Sequence, residues 1–482
     1  MDYRNQSEYS WEGYSKEPPK RKKPEWRCPV SVVLALLCIA VVATMMITFT
    51  LTSSWVRAQD SVIIEGQQQT IANLRDTLAS ENSFTKLEIL ASLLEQVSYY
   101  SDDFDKEEML NAVMRAYTEA TGDDYAAYYT DEEYAALSSD NAGEGVGIGV
   151  SVVQDALTVG AEDFLTYNIT AIFKNSPAHN SELRVGDHIY AVKVDGEFKT
   201  VEQLGGFSAM LNAIRGEVGT AVTLRAFRID QNGNHSTVEV EILRNTYTKE
   251  TVSYRVSEAA PKVGIVHLSE FDLQTPAQFK EAVKELQKLG VERFVFDVRN
   301  NPGGDLQSIK AVLSYLLKNG DLILTAIDNK GNYVSPVYAG AANYTGDYAP
   351  CSVKAEEVGM FADLKMVVLC NRNTASAAEV FTASLRDHKN VTIIGETTFG
   401  KGIMQRYYSL YSLSNGVFDG YVKMTTHAYV TACGVPYHGT GIAPTEGYAI
   451  ELSKEALTYH FYLLPESVDN QLQKAIRAVQ SK

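Results

Sequence analysis

Lys401 and Ser376 are the two residues whose setting in this sequence could support nucleophilic chemistry. Lys401 lies in "IIGETTFGKGIMQRYY", residues 393–408, where Gly395, Gly400 and Lys401 have the spacing G-x-x-x-x-G-K. That is most of a phosphate-binding loop. The next residue is Gly402, which has no hydroxyl for Mg²⁺, and "IMQRYYSLYSL" reads as a strand where such a loop must open a helix. The other reading is a general base. A lysine accepts a proton only when neutral, and its ordinary pKa is about 10.4. Burial in apolar surroundings lowers that value into the range where a base can act. Phe399 and Ile403 on either side, with flanking glycines that allow close backbone approach, permit such desolvation.

Ser376, in "NRNTASAAEVF", also supports two readings. With Glu379 it forms the S-x-x-E capping box of a helix start. It also stands at a strand-to-helix turn, where the first helical N–H groups and the helix dipole can stabilise an oxyanion. A serine nucleophile needs a base. Of the eight histidines none has an obvious catalytic setting. His388 ends the helix that Ser376 begins, roughly 18 Å away at 1.5 Å per residue. Lysine is then the candidate base, as in serine–lysine hydrolases. A third part is "NNPGG", in which Gly303 and Gly304 can turn their amides towards a reacting carbonyl. Alone, that segment would read as an ordinary Pro-Gly turn.

These residues need elements to hold them. From about Val263 onward strands and helices alternate: "VGIVHLSEF", the helix "TPAQFKEAVKELQKLG", "ERFVFDVR", the helix "LQSIKAVLSYLLKNG", "MVVLC", the helix "SAAEVFTASLRD" and "VTIIG". Repeated strand–helix units imply an α/β domain, with chemistry in loops at the carboxyl ends of strands. "NNPGGD" and "NRNTASAAE" are two such loops. Residues 143–244 differ, with short β-rich runs, Gly-containing turns and one helix over "VEQLGGFSAMLNAIRG". Residues 60–140 read as helices. In "DKEEMLNAVMRAYTEATG", Asp105 and Glu108 form a capping pair, Met109, Val113, Met114 and Tyr117 line a packing face, and Gly122 suits the stop.

The whole chain limits what such a site could serve. Its 482 residues suffice for two or three domains, and a net charge of −17 argues against nucleic acid or anionic lipid as main partner. Cys351, Cys370 and Cys433 are scattered, so at most one disulfide can form and buried free thiols are expected. No zinc-like spacing appears, and neither a metal nor another cofactor is expected. No charged residue lies between Cys28 and Val56. That stretch is long enough to cross a bilayer and longer than a signal peptide's apolar region, so an uncleaved anchor is expected. The basic "KEPPKRKKPEWR" before it would stay cytoplasmic, leaving everything after Trp55 outside. That placement disfavours an ATP-driven enzyme.

Taken together and in this order, the segments resemble the carboxyl-terminal processing peptidases, or tail-specific proteases, of peptidase family S41. The likeness runs from about residue 85 to 445. It implies Ser376 as nucleophile, Lys401 as general base 25 residues on, Gln405 as the glutamine supporting that lysine, and "DVRNNPGG" with Ala377 as the oxyanion segment. "DDYAAYYTDEEYAAL" resembles the stretch before the family's PDZ domain, which "GVGIGVSV", "SPAHNSELRVGDHIYAV" and "IRGEVGTAVTLRAFR" resemble in turn. Ser181–Glu182 and "TACGVPYHGTGIAPTE" depart from the family pattern without touching the dyad.

The expected architecture is an α/β core of the ClpP/crotonase-like S41 type with an inserted PDZ domain. Its expected divisions are a disordered cytoplasmic tail over 1–27, a transmembrane helix over 28–56, a helical region over 57–142, the PDZ domain over 143–246, the protease core over 247–450 and a C-terminal helical segment over 451–482. The PDZ domain would receive a substrate's C-terminal carboxylate on amides of Gly147, Ile148, Gly149 and Val150, the peptide adding as a strand. Expected partners are protein or peptide substrates with free C-termini, and a homo-oligomer is compatible with the reading. Two rivals are a catalytically idle PDZ scaffold and a nucleotide-binding protein.

Overall fold

The apolar runs "VGIVHL", "RFVFD", "KMVVLC" and "TIIG" carry no polar alternation, the pattern of strands buried on both faces. In the computed structural model, which describes residues 85–98, 103–230 and 234–482, they form one sheet. Its strands are β1 (Val252–Val256), β2 (Val263–Leu268), β3 (Arg293–Asp297), β4 (Lys365–Cys370) and β5 (Thr392–Gly395), in that order. β2 to β5 are parallel and β1 is antiparallel to β2.

Successive side chains point to opposite faces. Phe294, Phe296, Met366, Val368 and Ile393 pack with helices α1 (Thr275–Lys288), α2 (Leu306–Leu316) and α3 (Ala377–Lys389). Val295, Val367, Leu369 and Ile394 face the other way, onto Leu472, Ala475, Ile476 and Val479 of α4 (Asn470–Gln480). The C-terminal helix is therefore a wall of the sheet's core. Its start is fastened by Asp469, which accepts from the Leu472 N–H at 2.9 Å and from Arg299 Nη2 at 2.7 Å. Arg299, just past β3, also donates to Asp297 at 2.7 Å, and all three residues are buried.

A second, antiparallel sheet orders Ala127–Tyr129, Tyr421–Thr431, Leu322–Ile327 and Tyr333–Tyr338, with Ile403–Ser409 also paired to Tyr421–Thr431. Residues 127–129, expected within a helical region, are thus a strand. The helix Lys106–Glu119 also differs from expectation. Asn111 and Thr118 are its buried residues, whereas Met109, Val113 and Tyr117 are exposed. Tyr128 donates its hydroxyl to Asn111 Oδ1 at 3.1 Å, so the polar face is the one that docks on the strand.

Between the two strands of a short neck, Glu144–Gly147 and Asn245–Thr248, lies a unit with its own core around Ile169, Ile189, Met210 and Leu224. Its sheet runs Val150–Val159, Glu162–Ile172, His188–Val194, Ala221–Ile229, His235–Leu243, with Glu197–Thr200 paired to His188–Val194. The single helix expected over residues 201–216 is two, Val201–Leu204 and Phe207–Ile214. Gly205 and Gly206, at φ 94° and 125°, break it in a region that favours glycine.

By its contacts the chain divides into Met1–Asp105 and Lys106–Lys482. Of the first part, the helix Thr85–Val97 is the main described element. The expected tail over 1–27 and transmembrane helix over 28–56 lie outside the described residues. Among the described residues no helix is long and apolar enough to cross a membrane.

Candidate active site

Ser376 ends the loop between β4 and α3 with φ 54° and ψ −120°. Positive φ is uncommon for a residue with a Cβ, and such backbone clusters where surrounding structure holds a functional turn. Here the holding groups are identifiable. The Thr374 hydroxyl donates to Val298 O at 2.7 Å, and the Ala375 N–H donates to Asn301 O at 2.9 Å, tying the serine loop to the glycine-rich loop after β3.

Glu379 supplies one half of the expected capping box, since Oε2 accepts the Ser376 N–H at 2.9 Å. It does more than cap. The same oxygen accepts the Lys401 N–H at 2.7 Å, and Oε1 accepts the Gly400 N–H at 2.7 Å and the Thr398 hydroxyl at 2.6 Å. Fully buried, this carboxylate clamps the turn that carries Lys401 to the turn that carries Ser376. Burial pushes its carboxyl pKa up, and the four donors oppose that by favouring the anion. The S-x-x-E spacing was the available signal for Glu379, but it points only to a helix start.

Lys401 is half-buried, and burial lowers its pKa; the charge of Lys423 adds to this and Glu379 opposes it. The flanking glycines have a concrete role. A Cβ on Gly400 would lie 2.9 Å from Gly441 N, and one on Gly402 would lie 2.8 Å from His438 N. Only glycine lets the segment 438–441 close over this turn. Gly402 leads straight into the strand Ile403–Ser409, so no helix follows the lysine and a phosphate loop is not formed.

The Lys401 ammonium rests over the ring of Tyr125, Nζ being 4.3 Å from the centroid. Among the described residues no hydrogen bond joins it to the Ser376 hydroxyl. Gln405, expected to support the lysine, instead donates Nε2 to Thr425 Oγ1 at 3.1 Å. Thr425 donates its hydroxyl and N–H to Asp123 at 3.0 and 2.8 Å. The glutamine therefore reaches the lysine's surroundings through Thr425 and Asp123.

Gly303 is pressed against the serine, for a Cβ there would stand 2.6 Å from Ser376 Cβ and 2.8 Å from Ala377 N. Its own N–H is engaged by Asn301 Oδ1 at 2.8 Å. Gly304 packs its α-carbon against Phe271 O, where a Cβ would lie at 2.1 Å. Among the described residues, the Gly304 and Ala377 N–H groups have no acceptor, which leaves these two of the three expected donors open to an oxyanion.

The loop of Gly147, Ile148, Gly149 and Val150 joins the neck to the edge strand Val150–Val159. Ile148 is buried, and its carbonyl accepts the Ala178 N–H at 2.8 Å. Gly149, at φ 75°, leaves no room for a Cβ beside Ser176. His388 is structural, its Nε2 lying 2.7 Å from Leu322 O. Cys351 and Cys370 are buried free thiols, and burial pushes Cys351 up to about 12. Cys433, expected buried, is exposed because it follows a strand end in an open turn.

A parallel sheet that presents a serine at a strained helix start, its backbone clamped together with that of a partly buried lysine, has the parts of an α/β serine hydrolase core. Residues 262–447, which hold Ser376 and Lys401, match peptidase family S41. A Staphylococcus haemolyticus protein described as a probable CtpA-like serine protease is 27% identical over 388 residues, covering 75% of this chain and 69% of the relative. A similarly described Staphylococcus saprophyticus protein is 28% identical over 347 residues, covering 72% and 62%. The matched length is thus about two thirds of these relatives. Among solved structures, the photosystem II D1 C-terminal processing protease is 24% identical with a TM-score of 0.43, covering 82% of this chain and 93% of that one. An S41 protease of Bacteroides fragilis is 16% identical with a TM-score of 0.48, covering 71% and 87%.

Proposed function

We propose that the chain is a membrane-anchored serine endopeptidase with a Ser376–Lys401 dyad, acting outside the cytoplasm. The observation that carries the reading is the Glu379 carboxylate, which binds the backbone of both dyad residues. Neutral Lys401 Nζ takes the Ser376 Oγ proton as Oγ attacks a peptide carbonyl. Negative charge on the carbonyl oxygen is met by the N–H groups of Ala377 and Gly304, at the start of α3 where the helix dipole favours it. The tetrahedral intermediate collapses, the amine leaves with the proton from Lys401, and water, deprotonated by Lys401, hydrolyses the acyl ester.

The unit over residues 143–246 is read as a PDZ domain that selects substrates by their C-termini. In support, Val150–Val159 is an edge strand that among the described residues pairs only with Glu162–Ile172, the placement a strand-adding peptide uses. The uncharged stretch 28–56 supports the anchor and the orientation. The test is cleavage of an unfolded protein by the purified full chain in detergent, against Ser376→Ala and Lys401→Ala. Both variants are expected to lose activity by about a thousandfold or more. Full activity in Lys401→Ala sinks the dyad, and tail binding without cleavage by the wild type would leave a PDZ scaffold.

A further inference from the structure

The Lys401 ammonium sits on an aromatic face from a segment 276 residues earlier in the chain. That face is held in place from several directions. The Tyr125 N–H donates to Asp123 Oδ1 at 3.0 Å, and Asp123 in turn receives the N–H and hydroxyl of Thr425. Thr425 also takes the Gln405 side chain, from the strand that begins two residues after Lys401. Two residues past Tyr125, Ala127 opens the strand paired to Lys423 and its neighbours. The ring and the lysine turn are thus fixed to the same sheet.

An ammonium over a ring is attracted by the negative π-face, whereas a neutral amine gains little from it. The ring therefore favours the form of Lys401 that cannot act as base. Glu379 acts in the same direction, while burial and the Lys423 charge favour the neutral amine. Asp123 and Asp124 are the other charges beside Tyr125.

We propose that Tyr125 is a positioning residue of the dyad, its ring seating the Lys401 ammonium in a resting arrangement that the lysine leaves in order to accept the Ser376 proton. This rests on the dyad reading. The protons balance: the ammonium gives one to water on leaving the ring, and the neutral amine then takes the one from Ser376 Oγ.

The experiment follows covalent labelling of Ser376 by a fluorophosphonate, using the full chain in detergent across a range of pH. The probe needs no peptide substrate, and its rate rises with pH through the ionisation of Lys401. Tyr125→Leu removes the π-face, and its acidic limb is expected at lower pH, with labelling on that limb about three- to tenfold faster than wild type. Tyr125→Phe keeps the ring and the wild-type limb. A role in packing alone would lower the rate at every pH without moving the limb, and a leucine limb at or above the wild-type position overturns the proposal. Should the leucine variant fail to fold, Tyr125→Trp offers a stronger cation seat and must move the limb up; an unmoved limb again overturns it. Wild-type Ser376 that takes no probe at any pH removes the dyad reading and this proposal with it, so the two failures are told apart.

Discussion

Ser376 and Lys401, 25 residues apart in sequence, donate their backbone N–H groups to one oxygen of one buried carboxylate, Glu379 Oε2, at 2.9 and 2.7 Å. The register of Ser376 against Lys401 is set at the main chain, before either side chain moves. Side-chain excursions by Lys401, including its seat on Tyr125, then start from a fixed point.

Glu379 is accordingly expected to matter for both folding and rate. Glu379→Ala leaves four donors without an acceptor in a buried place, and should destabilise the chain by about 3 kcal/mol or more. Glu379→Gln keeps the shape but turns an NH₂ towards two of the donors. It is expected to retain more stability than the alanine variant while still losing most of kcat. Thermal unfolding and steady-state kinetics on the pair test this; wild-type kcat in the folded glutamine variant would refute the clamp.

Gly303 offers a steric test of the oxyanion site. Gly303→Ala would place a Cβ 2.6 Å from Ser376 Cβ at φ 105°, so the serine turn must shift. A loss of about 10²–10³-fold in kcat is expected, comparable to losing an oxyanion donor. Gly320→Ala is the matched control. Its φ of 87° imposes similar backbone strain, yet its Cβ meets nothing within 4 Å. It should cost about 1 kcal/mol of stability and leave kcat near wild type.

Lys423 places a second cation near Lys401 and is held by donating Nζ to Tyr129 Oη at 2.9 Å. Its charge favours neutral Lys401, so Lys423→Met lets the Lys401 pKa rise. The acidic limb of kcat/KM is expected to move to higher pH, the opposite direction to Tyr125→Leu. At a fixed pH on that limb the rate should fall roughly two- to threefold. A limb that stays in place would show that Lys423 acts only through Tyr129.

Asp272 predicts a pH dependence of stability away from the dyad. Its Oδ1 accepts from Gln274 N, Thr275 N and the Thr275 hydroxyl, but Oδ2 is buried without a partner among the described residues. Burial raises its pKa from 3.8 to about 6. A raised carboxyl pKa means that folding favours the protonated form. The stabilisation is complete below about pH 4 and is lost as pH rises through about 6, an effect of about 2–3 kcal/mol. Asp272→Asn should be flat over that window in denaturant unfolding.

Arg299 predicts how firmly the C-terminal helix is bound to the catalytic sheet. Arg299→Met leaves Asp297 and Asp469 as buried carboxylates without their cation, at an expected cost of about 3–5 kcal/mol. Adding Asp469→Asn removes one of those charges and should recover part of the loss. Chemical denaturation of the single and double variants gives the coupling, and strictly additive losses would rule it out.

How much of this is legible in the sequence depends on the range of each signal. Ser376, Lys401, Gly303 and the strands around them are written locally, in turn chemistry, capping spacing and unbroken apolar runs within a few residues. The helix Lys106–Glu119 shows the limit. Its apolar spacing marks a helical face, but the face that is buried is the one where Asn111 meets Tyr128 of the strand Ala127–Tyr129. Cys433 and the pair of short helices at Gly205–Gly206 are smaller cases of the same kind.

By itself the sequence determined the α/β class of the core and the order of its elements, because these follow from periodicity and turn chemistry, while the roles expected of Ser376, Lys401 and the glycine-rich loop come from their resemblance to a family pattern. Only the tertiary structure decided what those residues touch. Glu379 becomes a clamp, Gln405 binds Thr425 rather than the lysine, and Tyr125 lies under Lys401. Each of these contacts depends on packing or on strand pairing, in places between segments some 300 residues apart, such as Asp123 with Thr425. No local pattern encodes a partner at that range; the sheet brings the residues together, and burial then gives their contacts chemical weight.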